Sequence, residues 1–451
     1  LALVSTSPGG GLGRPFTLLW TAVTISTLGD GVTGVAAPLL AASITTSPLV
    51  VSGVVFAVSL PWLLFSLLSG GLVDRLDRRR VMVVVDWIRA AAIGTLGVAI
   101  ALHRADVTLL YGVMFLLGTG ETLFRAASLS MLPALVRPAQ LERANSRLSG
   151  ARTVVHDMVA GPLGGLLFAT AAATPFLLDA GSFAVGAVLL GLLPGAFRAT
   201  PAALPTERSA RPAGPTAQPA EPGPHPAGPA ELPDRTGARP SLRVEITAGL
   251  RWLLAHRLLR TLAVLIGLLN LTLTAALSIL VLLATQRLGL GSVGYGLLFT
   301  TFAVGGLLGA LVGERLIRTF TASVTLRAGL LVETGFHLTI ALVANPIGVG
   351  AAFAAFGVHA SLWTIVSTSI RQRLTPPELL GRVNSAYLFL AAGGNAAGAL
   401  LGGVVATHFG LTAPYWIGFV VAALVTAATW RVFDRATIAA AYPPAAAEGA
   451  Q

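Results

Sequence analysis

The chain contains neither cysteine nor lysine. Without cysteine there is no disulfide, no thiolate metal site and no thiol nucleophile, so sulfur redox chemistry is excluded. Without lysine there is no phosphate loop of the G-x-x-x-x-G-K-[ST] type, which excludes ATP-driven work through that motif. Charge of either sign is scarce: charged residues make up 11% of the chain, against about a quarter in a soluble domain. No metal-ligand cluster and no nucleophile elbow occur, so no metal, no cofactor and no enzymatic activity are expected. What is present is apolar: 54% of the 451 residues are hydrophobic, and mean hydropathy is +0.79. Such a chain is a polytopic membrane protein. Its formal charge of +11 would suggest nucleic acid in a soluble protein. Here the arginines fall mostly in loops on one side of the membrane, and no nucleic-acid partner is expected.

The stretch Gly70 to Arg80, GGLVDRLDRRR, orients the rest. It separates two apolar runs, each long enough to cross about 30 Å of hydrocarbon at 1.5 Å per residue. It is therefore a short loop between membrane helices. Its arginines, Arg75, Arg78, Arg79 and Arg80, assign it to the cytoplasmic face, because basic residues in short loops are retained there. Twelve spans are expected, near 16–42, 48–69, 81–102, 107–132, 147–172, 175–197, 258–285, 293–316, 322–344, 347–370, 385–407 and 412–433. With both termini cytoplasmic, the inner loops hold Arg137, Arg143, Arg147, Arg315, Arg318, Arg371, Arg373, Arg382, Arg431 and Arg435, and the outer loops little beyond Arg104 and Arg287. Basic residues that are all arginine, with abundant Ala, Gly, Val and Pro, suggest a GC-rich genome and so a bacterial plasma membrane.

The expected organisation is a flexible cytoplasmic N-terminus (1–14), a six-helix bundle (15–197), a disordered Pro/Ala-rich linker (198–240), an amphipathic surface helix (241–257), a second six-helix bundle (258–434) and a flexible tail (435–451). The linker composition cannot bury a core, and its lone His225 reads as solvated. The halves are repeats of one unit. At an offset of 384 − 145 = 239, Asn145-Ser146 recurs as Asn384-Ser385, and ten of the 29 ungapped positions from 118 to 146 are identical, including Pro138 with Pro377 and Arg143 with Arg382. The fold class is all-α, with two parallel six-helix repeats.

The spacing Gly70-x-Leu72-x-Asp74-Arg75-x-x-Arg78-Arg79 resembles the loop between helices 2 and 3 of the major facilitator superfamily of secondary transporters; Val73 and Asp77 depart from its usual small residue and glycine. Leu28-Gly29-Asp30 with Pro38, Asp86 with Arg89, Ala144-Asn145 and Gly161-Pro162-Leu163-Gly164-Gly165 resemble the drug- and siderophore-exporter branch, which includes macrolide efflux proteins and the enterobactin exporter. The resemblance implies alternating access between the bundles, a cavity lined by spans 1, 4, 7 and 10, and a conformational latch. In that latch Gly70 packs helices and Asp74, with Arg75 and Arg78, meets the region of Arg382 at the start of span 11. It also implies close packing at Gly161, Pro162, Gly165, Gly402 and Gly403, and export rather than import, although Asp157 stands where the exporter motif has glycine.

A charge deep in the membrane costs on the order of 2.5 to 3.5 kcal/mol by insertion scales, so each needs partners or water. Asp30, Glu121 and Asp157 lie near the middle of spans 1, 4 and 5, and are the candidate proton-coupling groups. Glu121 and Arg125, four residues apart, are placed to neutralise one another, leaving Asp30 either the coupling acid or the partner of Arg125 in a permanent salt bridge. Asp86 and Arg89 are read as a shallow pair, and Glu333 with His337 as a structural one. Arg125, Asn270, His359 and Trp363 are the candidate substrate-cavity residues, with packing the competing reading for Trp363. The function expected is proton-coupled export of a hydrophobic or amphipathic small molecule, such as an antibiotic or siderophore, by a monomer in the lipid bilayer; metabolite import and lipid translocation are the alternatives. A reporter active only outside the cytoplasm is expected to be silent when fused near Gly228 and active near Ala173, and the opposite pattern reverses every direction assigned here.

Overall fold

A computed structural model describes residues 12–73, 76–195, 197 and 251–440. The expected linker, the first part of the expected amphipathic helix, and Asp74 and Arg75 of the expected latch lie outside them. All regular structure among the described residues is helical. The first half comprises α1 (Gly13–Ile44), α2 (Pro48–Val73), α3 (Arg78–Ala101), α4 (Val107–Leu135), α5 (141–170) and α6 (Thr174–Gly191). In the second half α7 (257–286) pauses at residues 278–279. A continuous run, Ser292–Leu342, breaks at Thr321 (φ 70, ψ 155) into α8 (292–320) and α9 (322–342). Then come α10 (Pro346–Leu374), α11 (Pro377–Phe409) and α12 (Ala413–Thr429). A β-branched residue at positive φ is strained, and here it reverses the chain where the sequence offers neither glycine nor proline. The tail expected to be flexible begins instead with a short helix, α13 (Arg435–Ala440), because Asp434 caps it by accepting from the Thr437 amide at 2.6 Å.

The repeat is visible in the elements: α4 and α10 begin 346 − 107 = 239 residues apart, and α6 and α12 begin 413 − 174 = 239 apart. Alternate loops collect at two ends. The basic end holds the loop before α3, with Arg78, Arg79 and Arg80, the end of α6, and the α4–α5, α8–α9 and α10–α11 connections; the far end holds the α1–α2, α3–α4, α5–α6, α7–α8, α9–α10 and α11–α12 connections. At the basic end Asp77, the residue standing where the family has glycine, caps α3 by accepting from the Arg80 amide at 3.0 Å and also accepts from the Phe197 amide at 3.1 Å. Arg79 donates to the Gly191 and Gly195 carbonyls at 2.8 and 3.1 Å. This part of the loop is fastened to the end of α6, so its charges hold the first half together.

The core shows how the halves meet. Towards the far end one continuous apolar cluster takes residues from both, from Val35–Ala41, Val51 and Val54 to Ile279–Ala284, Tyr295 and Phe353. Towards the basic end the core divides into two separate clusters, one around Phe16, Met82 and Met131, the other around Leu262, Leu326 and Phe433. The halves are therefore sealed together at the far end and split apart at the basic end. Small residues make the seal: a side chain at Gly161 of α5 would meet the Gly296 carbonyl of α8 at 2.9 Å, Gly165 lies against the Ser292 carbonyl in the same manner, and Gly403 lies against the Ser52 hydroxyl and the Leu49 backbone. Such backbone contact is the means of tight packing where lipid removes the hydrophobic drive. Gly402 lies against α7 at Ala275 within the second half.

The seal yields a prediction. Leu283 is fully buried in the shared cluster, and the chain has no native cysteine. Leu283→Cys should react slowly with a membrane-impermeant maleimide, and adding Gly296→Val, which pushes α5 from α8, should speed labelling several-fold. Unchanged labelling contradicts the seal.

Candidate functional site: a buried arginine among four carboxyl groups

Arg89, near the middle of α3, is 1% exposed and is the hub of the first half. Its Nη2 lies 2.5 Å from Asp30 Oδ1 on α1 and 3.4 Å from Glu121 Oε2 on α4, and its Nη1 lies 3.8 Å from Asp86 Oδ1 one turn back on α3. The Phe183 ring of α6 lies 4.0 Å beneath the guanidinium carbon. Gly120 of α4 leaves the space that the arginine stem fills, since a side chain there would meet Arg89 Cδ at 2.7 Å. A fourth acid, Asp179 of α6, is fully buried beside this group; it accepts from Thr33 Oγ1 at 2.6 Å and Ser182 Oγ at 3.1 Å. Arginine stays charged under all accessible conditions, whereas an ion in low dielectric without compensation costs several kcal/mol. One guanidinium cannot balance four carboxylates. The excess acids are neutral or in contact with water, and the route to water is visible: Asp30 and Glu121 keep 26% and 24% side-chain exposure while Asp86 and Asp179 have none.

The expected pairings change accordingly. Glu121 is held by Arg89 rather than by Arg125, and Asp30 by Arg89 rather than by Arg125. Four-residue spacing places Glu121 and Arg125 on one face, but a dry guanidinium attracts carboxylates more strongly than a wet one. Arg125 instead stands 5.5 Å from the Trp62 ring centroid of α2. Asp86 and Arg89 do approach, yet Arg89 is the centre of a four-helix network, not half of a shallow pair. Asp179 escaped notice in the sequence; the signal was available, as an acid inside the apolar run TPFLLDAGSF.

Asp157 belongs to a π-helical stretch of α5, Arg152–Val159. Pro162 follows it and cannot donate to the carbonyl of Met158, and a wider turn relieves the clash of its ring with that carbonyl. The ladder there runs from the Ala160 amide to the Val155 carbonyl, five residues back.

The second half carries its own polar centre. Glu333 of α9 lies 3.3 Å from His359 Nε2 on α10 and 3.7 Å from His337 Nε2. Gly329 and Gly418 make room for the two imidazoles. His359 and Trp363 are therefore core residues of this half, not faces of the central space. His359 borders a groove of about 340 Å³ lined only by α8, α9 and α10, and Trp363 packs on Phe433 within the basic-end core. For Trp363 this is the packing reading, and for His359 helical period alone does not tell which flank of α10 turns to α9. Asn270 is half-buried on α7. Arg382 lies on α11 and Gly70 on α2.

The family model described as transmembrane secretion effector matches residues 13–213 and 230–445. The enterobactin exporter of Shigella boydii serotype 4 is 27% identical over 417 residues, covering 90% of this chain and 87% of that protein. Among solved structures, a bacterial homologue of the iron transporter ferroportin in its inward-facing state superposes with a TM-score of 0.68 at 17% identity, over 94% of this chain and 99% of that one. In its outward-facing state with soaked iron the TM-score is 0.54 at 16% identity, over 95% and 99%.

Arg89→Met should destabilise the protein by about 3–5 kcal/mol, the range for breaking a buried pair from one side. Asp30→Asn, which leaves the guanidinium an acceptor, should cost less. Thermal unfolding in detergent reads both, and a methionine variant as stable as wild type contradicts the hub assignment.

Proposed function

The chain belongs to the transmembrane secretion effector family of the major facilitator superfamily, a membrane transporter related to exporters, and from that premise we propose that it exports a hydrophobic or amphipathic small molecule in exchange for protons. The observation that carries the proposal is that Asp30 and Glu121, each about a quarter exposed, share one buried guanidinium. Arginine keeps its charge whichever acid is protonated. A proton on Asp30 removes its attraction for Arg89 and leaves the guanidinium to Glu121 and Asp86. One proton thus redistributes contacts among α1, α3 and α4.

By the arginine asymmetry of the loops, the basic end and both termini lie in the cytoplasm of a bacterial cell. The split between the halves then opens to the cytoplasm, as loading an export substrate requires, and the glycine seal closes the outer face. Rocking of one half against the other, acting as a monomer, exchanges the two states. Asp30 links the proton to this movement because α1 also lies against α5 at Val32 and Gly164, and α5 carries the seal with α8.

Asp30→Asn mimics the protonated acid. In proteoliposomes it should abolish accumulation driven by a pH gradient while preserving substrate binding and counterflow exchange. If the variant still concentrates substrate with the wild-type dependence on pH, Asp30 is not the coupling group, and Glu121 and Asp157 are tested in turn.

A further inference from the structure

Release of Arg125 from its expected partner has a chemical consequence. Arg125 lies ten residues before the basic end of α4, and Arg152 lies eleven residues after the start of α5, so the two stand at matching depth. Both are exposed and within electrostatic reach of one another. Neither guanidinium makes a hydrogen bond or an ion pair among the described residues; Arg125 has only the Trp62 ring beside it. Trp62 stands on α2 at the level where the halves meet, since the adjacent Leu63 reaches Gly393 of α11. Two like charges near one another in a membrane protein repel, and the repulsion grows as water is excluded. Glu121 attracts Arg125 and Asp30 attracts Arg152, but both acids make their direct contacts to Arg89. An indole beside two guanidiniums is suited to a planar apolar group that carries a negative charge.

We infer that the transported molecule is an amphipathic anion, whose acidic group docks between Arg125 and Arg152 and whose planar apolar part rests on Trp62. This rests on the exporter reading and narrows its substrate class. An inside-negative membrane potential assists outward movement of such an anion.

A matched pair of dyes tests it: fluorescein, an anion, and rhodamine 123, a cation on the same ring system. Binding is read by fluorescence anisotropy with the full chain in zwitterionic nanodiscs. Wild type should bind fluorescein more tightly. Arg125→Gln and Arg152→Gln should each weaken fluorescein by about tenfold or more, the loss of a hydrogen bond to a charged group, and leave rhodamine unchanged. Arg125→Lys should keep most of the fluorescein affinity, which separates lost charge from lost folding, and Trp62→Leu should weaken both dyes. Tighter rhodamine binding by wild type, or fluorescein binding unchanged within twofold in both glutamine variants, overturns the inference. So does loss of fluorescein binding when phosphatidylglycerol is included, since the anion would then be a lipid headgroup. Failure here leaves the exporter reading standing if rhodamine is transported. Binding of fluorescein without movement in proteoliposomes would instead remove the exporter reading and keep the site.

Discussion

A guanidinium that is never neutral, held out of water among four carboxyl groups, is the constraint on which the first half depends. Arg89 cannot leave the interior without breaking contacts to α1, α4 and α6, and it cannot remain there unless acids surround it. The acids meet the converse condition. Each needs the arginine, a hydroxyl donor, water or a proton, and the donors available are few: Thr33 and Ser182 serve Asp179. Polar groups in a membrane interior bind helices through such mutual dependence, while apolar side chains supply packing without direction. The network therefore ties α1, α3, α4 and α6 into one body and leaves two of its acids within reach of the central space. A body so joined meets what the proposed rocking and proton exchange require.

The second half uses the same positions with the roles exchanged. At the repeat offset of 239, Gly120 corresponds to His359, Asp179 to Gly418 and Gly94 to Glu333. In the first two pairs, where one half has a glycine that admits a polar side chain from a neighbouring helix, the other has the polar side chain itself: Gly120 admits Arg89 and Gly418 admits His337, whereas Gly94 faces Ala180. Both halves thus keep a buried polar centre at equivalent depth, one built on an arginine and the other on two imidazoles. Of the two centres, as the described residues form them, the first has acids that are partly exposed and the second has a buried Glu333. The proposed coupling in the first half rests on this asymmetry of chemistry within a symmetric fold.

Much of the architecture was legible in the sequence because its signals are local. Apolar runs of fixed length, arginines between them and the recurrence of Asn-Ser at a constant offset suffice for twelve helices in two repeats. The break at Thr321 was also legible as a change of run, even though no turn residue marks it. The site was legible only by residue type. Acids in apolar helices announce themselves, but their partners do not: Asp30 and Arg89 are 59 residues apart, and helical spacing instead favoured the neighbour Arg125. Which flank of a helix faces which neighbour is set by tertiary packing, through glycines such as Gly120 and Gly329 whose purpose appears only beside the side chains they admit. The partners of His359 were not legible for that reason, and Asp179 was overlooked. Arg152 was passed over because the π-helical turn that carries it has no sequence period of its own.

Proton-coupled export requires that the acids around Arg89 hold a proton that leaves and returns. Infrared difference spectroscopy of the lipid-embedded chain, stepped between acid and alkaline pH, reads this without knowledge of the substrate. The carbonyl stretch of a protonated carboxylic acid should appear and vanish reversibly with pH, and part of that change should be missing in Asp30→Asn. A spectrum in which no carboxylic acid band responds to pH, or in which the asparagine variant shows the full wild-type change, would contradict it.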